Sequence, residues 1–217
     1  MIKACIFDLD GVIVDTAHYH FLAWQRLAHE LGVEFTETDN ERLKGVSRMR
    51  SLEIILEIGN IQLEEVKKEA LATKKNAWFV DFVNAIRPEE IFPGVKELIA
   101  NLKSRGLKIA LASSSKNAQR VTELLKIQSL FDVMVDGTMI THSKPDPEIF
   151  LLAASKLNII PSSCIVFEDA EAGVEAALAA GMKCVGVGSP EQLGKAHDLV
   201  ARTGDFTWER LSKLNGA

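Results

Sequence analysis

Five short apolar runs, rich in β-branched residues, set the limits on how this chain can fold: Ala4–Phe7, Lys108–Ala112, Asp132–Val135, Cys164–Phe167 and Lys183–Val187. Each has the length of a buried strand and none approaches the roughly 18 apolar residues of a membrane helix. Between them lie segments with helical spacing. Val95, Leu98, Ile99 and Leu102 precede the second run, and Val121, Leu124 and Leu125 follow it. Ile149–Leu157 and the alanine-rich Ala172–Ala180 continue the pattern. This alternation predicts an α/β fold, a Rossmann-like parallel sheet with helices on both faces. In such sheets the loops at the strand C-termini gather at one edge, where ligands bind.

The stretch from Thr16 to Pro88 breaks the rhythm and offers no good strand. Its patterns are helical: Phe21, Trp24, Leu27, Ala28 and Leu31, then Leu52, Ile55 and Leu56, then Ala72 to Val83. Gly32 and Gly59 read as helix ends, and Pro88 and Pro93-Gly94 mark the return to the sheet. Residues 16–88 are therefore expected to form an inserted all-helical cap domain, and residues 1–15 with 89–217 the α/β core. The last stretch, Thr203 to Ala217, is expected to supply a final strand and helix.

The net charge of −5, with acidic and basic residues interspersed, argues against nucleic acid as a partner but leaves room for a small anionic substrate. Cys5, Cys164 and Cys184 are widely spaced within apolar runs and read as buried thiols of a reducing compartment. Met1 leads straight into the first strand and no apolar segment is long enough for a membrane span. A cytoplasmic protein without a membrane partner is expected.

The chemistry sits in four loops. Asp8 and Asp10 end the first apolar run with two carboxylates at i and i+2, followed by Gly11. Like charges this close require a cation or a shared proton, and Mg2+ suits such oxygens while leaving open positions for phosphate. Glu168-Asp169 closes the fourth run with a second acidic pair. Ser113-Ser114-Ser115-Lys116-Asn117 follows the second run and precedes a helix, a natural place for an anion. Ser143-Lys144-Pro145-Asp146-Pro147 holds one lysine in a proline-fixed turn. Together these supply the nucleophile, metal site and donors of phosphoryl transfer. The residue pattern does not by itself separate the roles of Asp8 and Asp10.

In order and spacing the four segments resemble the signature motifs of the haloacid dehalogenase superfamily, over essentially the whole chain. The fuller strings, from Asp8 to Thr16, from Lys44 to Arg48, from Ala110 to Asn117 and from Glu168 to Gly173, are similar to the branch that moves a phosphoryl group between two positions of a hexose. That resemblance implies that Asp8 is the nucleophile and becomes an aspartyl phosphate, and that Asp10 is the general acid and base. It implies Mg2+ held by Asp8, Asp169 and the backbone carbonyl of Asp10, with Glu168 at the rim of the metal site or touching sugar hydroxyls. Ser113 and Lys144 would bind the transferring phosphoryl group. Arg48 would grip the second, non-transferring phosphate, faced by Ser115, Lys116 and Asn117 with Ser114 beside them. His20, Trp24, Gly45, Val46, Ser47, Ser51 and Lys75 match cap positions that line the sugar site or sense closure, and Thr16 lies at the core-to-cap hinge. The implied activity is conversion of β-glucose 1-phosphate to glucose 6-phosphate through the 1,6-bisphosphate. A sugar-phosphate phosphatase is the alternative, and Arg48, Lys116 and Asn117 discriminate the two. A catalytically dead binding protein is disfavoured because no core motif residue is missing. A monomer is expected, since these folds complete the site within one chain.

Overall fold

The computed structural model describes residues 1–216. Six parallel strands form one sheet: β1 (Ala4–Phe7), β2 (Lys108–Ala112), β3 (Val133–Val135), β4 (Cys164–Glu168), β5 (Lys183–Val187) and β6 (Asp198–Val200), in the order β3-β2-β1-β4-β5-β6. The chain runs outward from β1 through β3 and then returns beside β1 with β4. The direction of winding therefore reverses between β1 and β4, where a doubly wound sheet opens its ligand crevice. β6 departs from expectation. The final strand precedes Thr203, and Thr203–Asp205 is a 3-10 turn before the helix Trp208–Gly216; Ala217 lies outside the described residues.

Both sheet faces are covered, which is why the strands read as continuous apolar runs rather than alternating ones. One face presents Cys5, Phe7, Ile109, Leu111, Ile165 and Phe167 to α5 (Val95–Ser104), α6 (Ala118–Leu124) and α10 (Trp208–Gly216). The other presents Ala4, Ile6, Ala110, Ala112 and Val166 to α7 (Glu148–Leu157) and α8 (Glu171–Ala179). The rings of Phe7 and Phe167 stack at 4.4 Å, as their direct pairing across β1 and β4 requires. The three cysteines are buried free thiols.

Between β1 and α5 the chain builds α1 (Thr16–Glu30), α2 (Glu37–Glu41), α3 (Arg48–Ile58) and α4 (Glu65–Val83). Asp15 starts α1 by accepting from the His18 backbone N–H at 3.2 Å, and Ser47 starts α3 by accepting from that of Arg50 at 3.2 Å. Trp24, Leu27, Leu52, Ile55 and Ala72 form an apolar cluster belonging to these helices. Ala23 of α1 and Phe79 and Val83 of α4 join the cluster of the sheet, so the insertion is rooted in the core it covers. Among the described residues no helix is long and apolar enough to cross a membrane.

Candidate active site

Register and side-chain alternation place the reactive groups. Because Phe7 and Phe167 pair and point to one face, the next residues, Asp8 and Glu168, point to the other. The Asp8 backbone N–H donates to the Phe167 carbonyl at 3.0 Å and locks the two carboxylates side by side. The loop leading into α7 covers that same face and delivers Lys144, whose Nζ donates to Asp8 Oδ1 at 2.6 Å and to Glu168 Oε1. Lys144 and Glu168 are fully buried. Burial alone would push the Lys144 ammonium down, but the charges of Asp8 and Glu168 hold it above its ordinary value. Burial, together with the Asp8 charge, pushes the Glu168 carboxyl up against the pull of Lys144.

Two glycines make the approach possible. Gly11 has φ +80°, and a Cβ there would fall on the Asp169 carboxylate. A Cβ at Gly173 in α8 would fall on the carboxylate of Glu168. One oxygen each from Asp8, Glu168 and Asp169 lies within 4.8 Å of the others. Burial and the neighbouring charges of Glu168 and Asp8 push Asp169 well above the usual carboxylate range. Three clustered carboxylates with one lysine among them carry excess negative charge, and an oxygen-only donor set of this kind fits a hard divalent cation.

Asp10 is turned away from that cluster. Its Oδ1 accepts from the Thr16 hydroxyl and its Oδ2 from the Ser113 hydroxyl at 3.3 Å. Burial and the adjacent Asp8 charge push its pKa up to about 6, against the lowering effect of the two hydroxyls. His20 Nε2 lies 4.0 Å from Asp10 Oδ1, while its Nδ1 meets Lys75 Nζ at 2.8 Å and its ring stacks on Phe79 at 3.8 Å. Burial, with the charges of Lys75 and Arg48, pushes the His20 pKa well down. A neutral His20 that accepts from Lys75 at Nδ1 presents N–H at Nε2 toward Asp10. Lys75 is buried and its Nζ sits 4.4 Å over the Trp24 ring. Burial and the Arg48 charge push its pKa well down.

A cavity of about 620 Å³ joins sheet edge and insertion, within the range of small-molecule sites. Asp8, Asp10 and Asp169 line it, and so do Arg48, Lys75 and Lys116. Of the expected site residues, His20, Trp24, Gly45, Val46, Ser47, Ser51, Ser114, Ser115 and Asn117 also line it. Four stand behind this wall. Ser113 and Thr16 are buried against Asp10, so Thr16 is a hydrogen-bond partner of that carboxylate as well as a junction residue. Lys144 lies beneath Asp8. Glu168 is buried below the surface, its Oε1 accepting from Lys144 Nζ and its Oε2 from the Ala170 backbone N–H at 3.2 Å. One of its oxygens is part of the carboxylate cluster with Asp8 and Asp169. The Ser51 hydroxyl is likewise committed, donating to the Ser47 carbonyl at 3.1 Å.

Sequence reasoning missed Lys44 and Asn76. Lys44 lines the cavity and its charge pulls the pKa of Asp169 down. Asn76 Oδ1 accepts from Asn117 Nδ2 at 2.9 Å. Lys44 opens the matched string Lys44–Arg48, which is signal enough to find it. Asn76 follows two lysines in an ordinary helix and carries none.

A buried carboxylate paired with a lysine, a cluster of three carboxylates fit for a cation and a separate carboxylate held by two hydroxyls form the arrangement of a phosphoryl-transfer site of the haloacid dehalogenase type. The model of the haloacid dehalogenase-like hydrolase family matches residues 2–181, and the chain belongs to that family. It is 44% identical to beta-phosphoglucomutase of Bacillus subtilis, over 96% of this chain and 93% of that one. It is 38% identical to a phosphorylated carbohydrates phosphatase of Thermotoga maritima, over 83% and 82%. Among solved structures, beta-phosphoglucomutase from Clostridium difficile superimposes with a TM-score of 0.94 at 45% identity, covering 98% of this chain and 96% of that one.

Gly→Ala inside a helix ordinarily stabilises by about 0.5–1 kcal/mol. Gly173→Ala is expected instead to cost about 1–3 kcal/mol, because the new methyl displaces Glu168 from Lys144. Urea unfolding measures this, and a variant as stable as the wild type would contradict the packing.

Proposed function

We propose that this protein is an isomerase that interconverts β-D-glucose 1-phosphate and β-D-glucose 6-phosphate through an aspartyl phosphate on Asp8 and β-glucose 1,6-bisphosphate. The observation that carries this reading is the pairing, in one cavity, of a phosphoryl-transfer centre with the cations of Arg48 and Lys116. A phosphatase needs the centre alone. A mutase holds a bisphosphate by both ends, and the similarity to two beta-phosphoglucomutases over nearly the full chain supports that choice.

The residues divide the work. A carboxylate oxygen of Asp8 forms the bond to phosphorus as the bond from phosphorus to the sugar oxygen breaks. Asp10 gives its proton to the departing oxygen, and in the other half-reaction takes one from the attacking hydroxyl. A carboxyl with a pKa of about 6 populates both forms near neutral pH, as a group that must donate and accept in alternate steps requires. Lys144 neutralises the charge of Asp8 and of the phosphoryl group it receives. Asp8, Glu168 and Asp169 would hold Mg2+, with the Asp10 carbonyl as a further ligand. That ion would screen the phosphoryl oxygens from the carboxylates and stabilise the charge developing on them. Arg48 grips the distal phosphate by a charge-assisted fork, while Lys116 and Asn117 meet it from the core side.

The moving unit in this account is residues 16–88, closing over a core of residues 1–15 and 89–217. Closure excludes water and brings His20 up to Asp10. All groups named come from one chain, so a monomer suffices. The buried free thiols accord with a cytoplasmic setting.

Three results test the proposal. Purified protein with Mg2+, β-glucose 1-phosphate and a trace of glucose 1,6-bisphosphate is expected to yield glucose 6-phosphate; release of inorganic phosphate as the main product identifies a phosphatase instead. Arg48→Ala is expected to lower mutase kcat/KM about a hundredfold, the effect of losing about 3 kcal/mol from a desolvated charge contact. Phosphorylation of Asp8 by acetyl phosphate, which has no distal phosphate, should fall far less, and an equal loss of both refutes the role of Arg48. Chelation is expected to abolish turnover and Mg2+ to restore it; full activity after exhaustive chelation counts against the carboxylate cluster as a metal site.

A further inference from the structure

The loop after β2 and the helix it leads into grip the helical insertion at several points. Ser114 Oγ donates to the Gly45 carbonyl at 2.8 Å, and Asn117 Nδ2 donates to Asn76 Oδ1 at 2.9 Å. Farther along, Arg120 Nε donates to Asn84 Oδ1 at 3.1 Å. Of these contacts, the one made by Ser114 reaches the backbone of the segment that carries Ser47 and Arg48.

The surroundings fix both ends of that bond. Gly45 has φ +74°, and a Cβ there would stand 3.2 Å from Ala170 Cβ and 3.7 Å from Lys144 Cδ. The cap segment thus rests directly on the stem of the lysine that holds Asp8. On the other side, Gly137 packs so closely that a Cβ would fall on the Ser114 carbonyl, and its N–H donates to the Ser115 carbonyl at 3.3 Å. The Ser114 backbone is therefore held by the core, and its hydroxyl is a fixed donor facing the part of the molecule that must move. Alanine would keep every one of these contacts except the donor.

We propose that Ser114 is a positioning residue, a latch whose hydroxyl holds residues 44–48 down on the core and so sets how readily the cap closes over a sugar phosphate. The bond is half-buried and neutral, and such a bond shifts a two-state equilibrium by about three- to tenfold. Both partners belong to the protein, so the bond can favour closure before substrate binds and spare the substrate part of that cost. Its effect on substrate binding rests on the sugar-phosphate reading above; its effect on the ligand-free cap does not.

Hydrogen–deuterium exchange of the ligand-free protein separates a latch from a direct substrate contact. In Ser114→Ala, amides of residues 44–48 are expected to exchange about three- to tenfold faster than in the wild type, with strand amides unchanged. In the same variant KM for β-glucose 1-phosphate is expected to rise by a similar factor, with kcat much less affected. Ser114→Thr keeps the hydroxyl and is expected to stay near the wild type in both measurements. Unchanged exchange at residues 44–48, or faster exchange with an unchanged KM, overturns the proposal. If the wild type releases phosphate in place of glucose 6-phosphate, the mutase reading fails, yet exchange and KM still test the latch.

Discussion

The site depends on one buried contact, the Lys144 ammonium held between Asp8 and Glu168. Taking a lysine fully out of water costs several kcal/mol, and only close opposite charges offset that. The fold supplies them by pairing β1 with β4 in a register that sets two carboxylates side by side. With Asp169 nearby, the local charge remains negative after Lys144 is counted. The excess is useful as well as costly. It leaves the place that a divalent cation fits, and that cation with Lys144 can flank a phosphoryl group on Asp8. Removing any one member would leave another charge buried without its partner, so the set stands or falls together.

The second dependency lies between core and insertion. Asp10 is held by Ser113 from the core and Thr16 from the start of α1, one hydroxyl on each side of the junction. His20 approaches the same carboxylate from α1 while held by Lys75 of α4. Asp10 is thus wired to the helical insertion, whereas Asp8 is wired to the sheet. A rotation of the cap moves the partners of Asp10 and leaves Asp8 in place. That asymmetry fits the proposed division of roles, in which Asp8 accepts a phosphoryl group with no partner from the cap but Asp10 must meet an oxygen of a particular substrate.

Much of this was legible in the sequence. Five of the six strands and the helical insertion follow from apolar spacing, and the four loops bearing Asp8, Ser113, Lys144 and Asp169 follow from what ends each strand. β6 was not legible, because Asp198-Leu199-Val200 is a three-residue edge strand with a charge at its start. The direction of the Glu168 side chain was not legible either. It is set by the Phe7–Phe167 pairing and by the missing Cβ of Gly173, which are facts of register and approach between distant segments. Asn76 and the Ser114 donor were hidden for the same reason, since their partners lie 41 and 69 residues away along the chain.

The relatives include both a mutase and a phosphatase, so membership of the family does not by itself decide where the phosphoryl group goes. The decision falls to whatever competes with water for the phosphorylated Asp8. Water is present at high concentration and needs no orientation by Arg48, so a sugar wins only if its binding energy is used to close the cap. A closed state that is already partly favoured lowers the binding energy needed, but one favoured too strongly would slow the exchange of sugar and the turning over of a bisphosphate. Weak neutral contacts such as that of Ser114 with the Gly45 carbonyl suit this balance better than an ion pair would. Each shifts the equilibrium by a modest factor, and several of them along one loop can be tuned separately without touching Asp8 or Asp10.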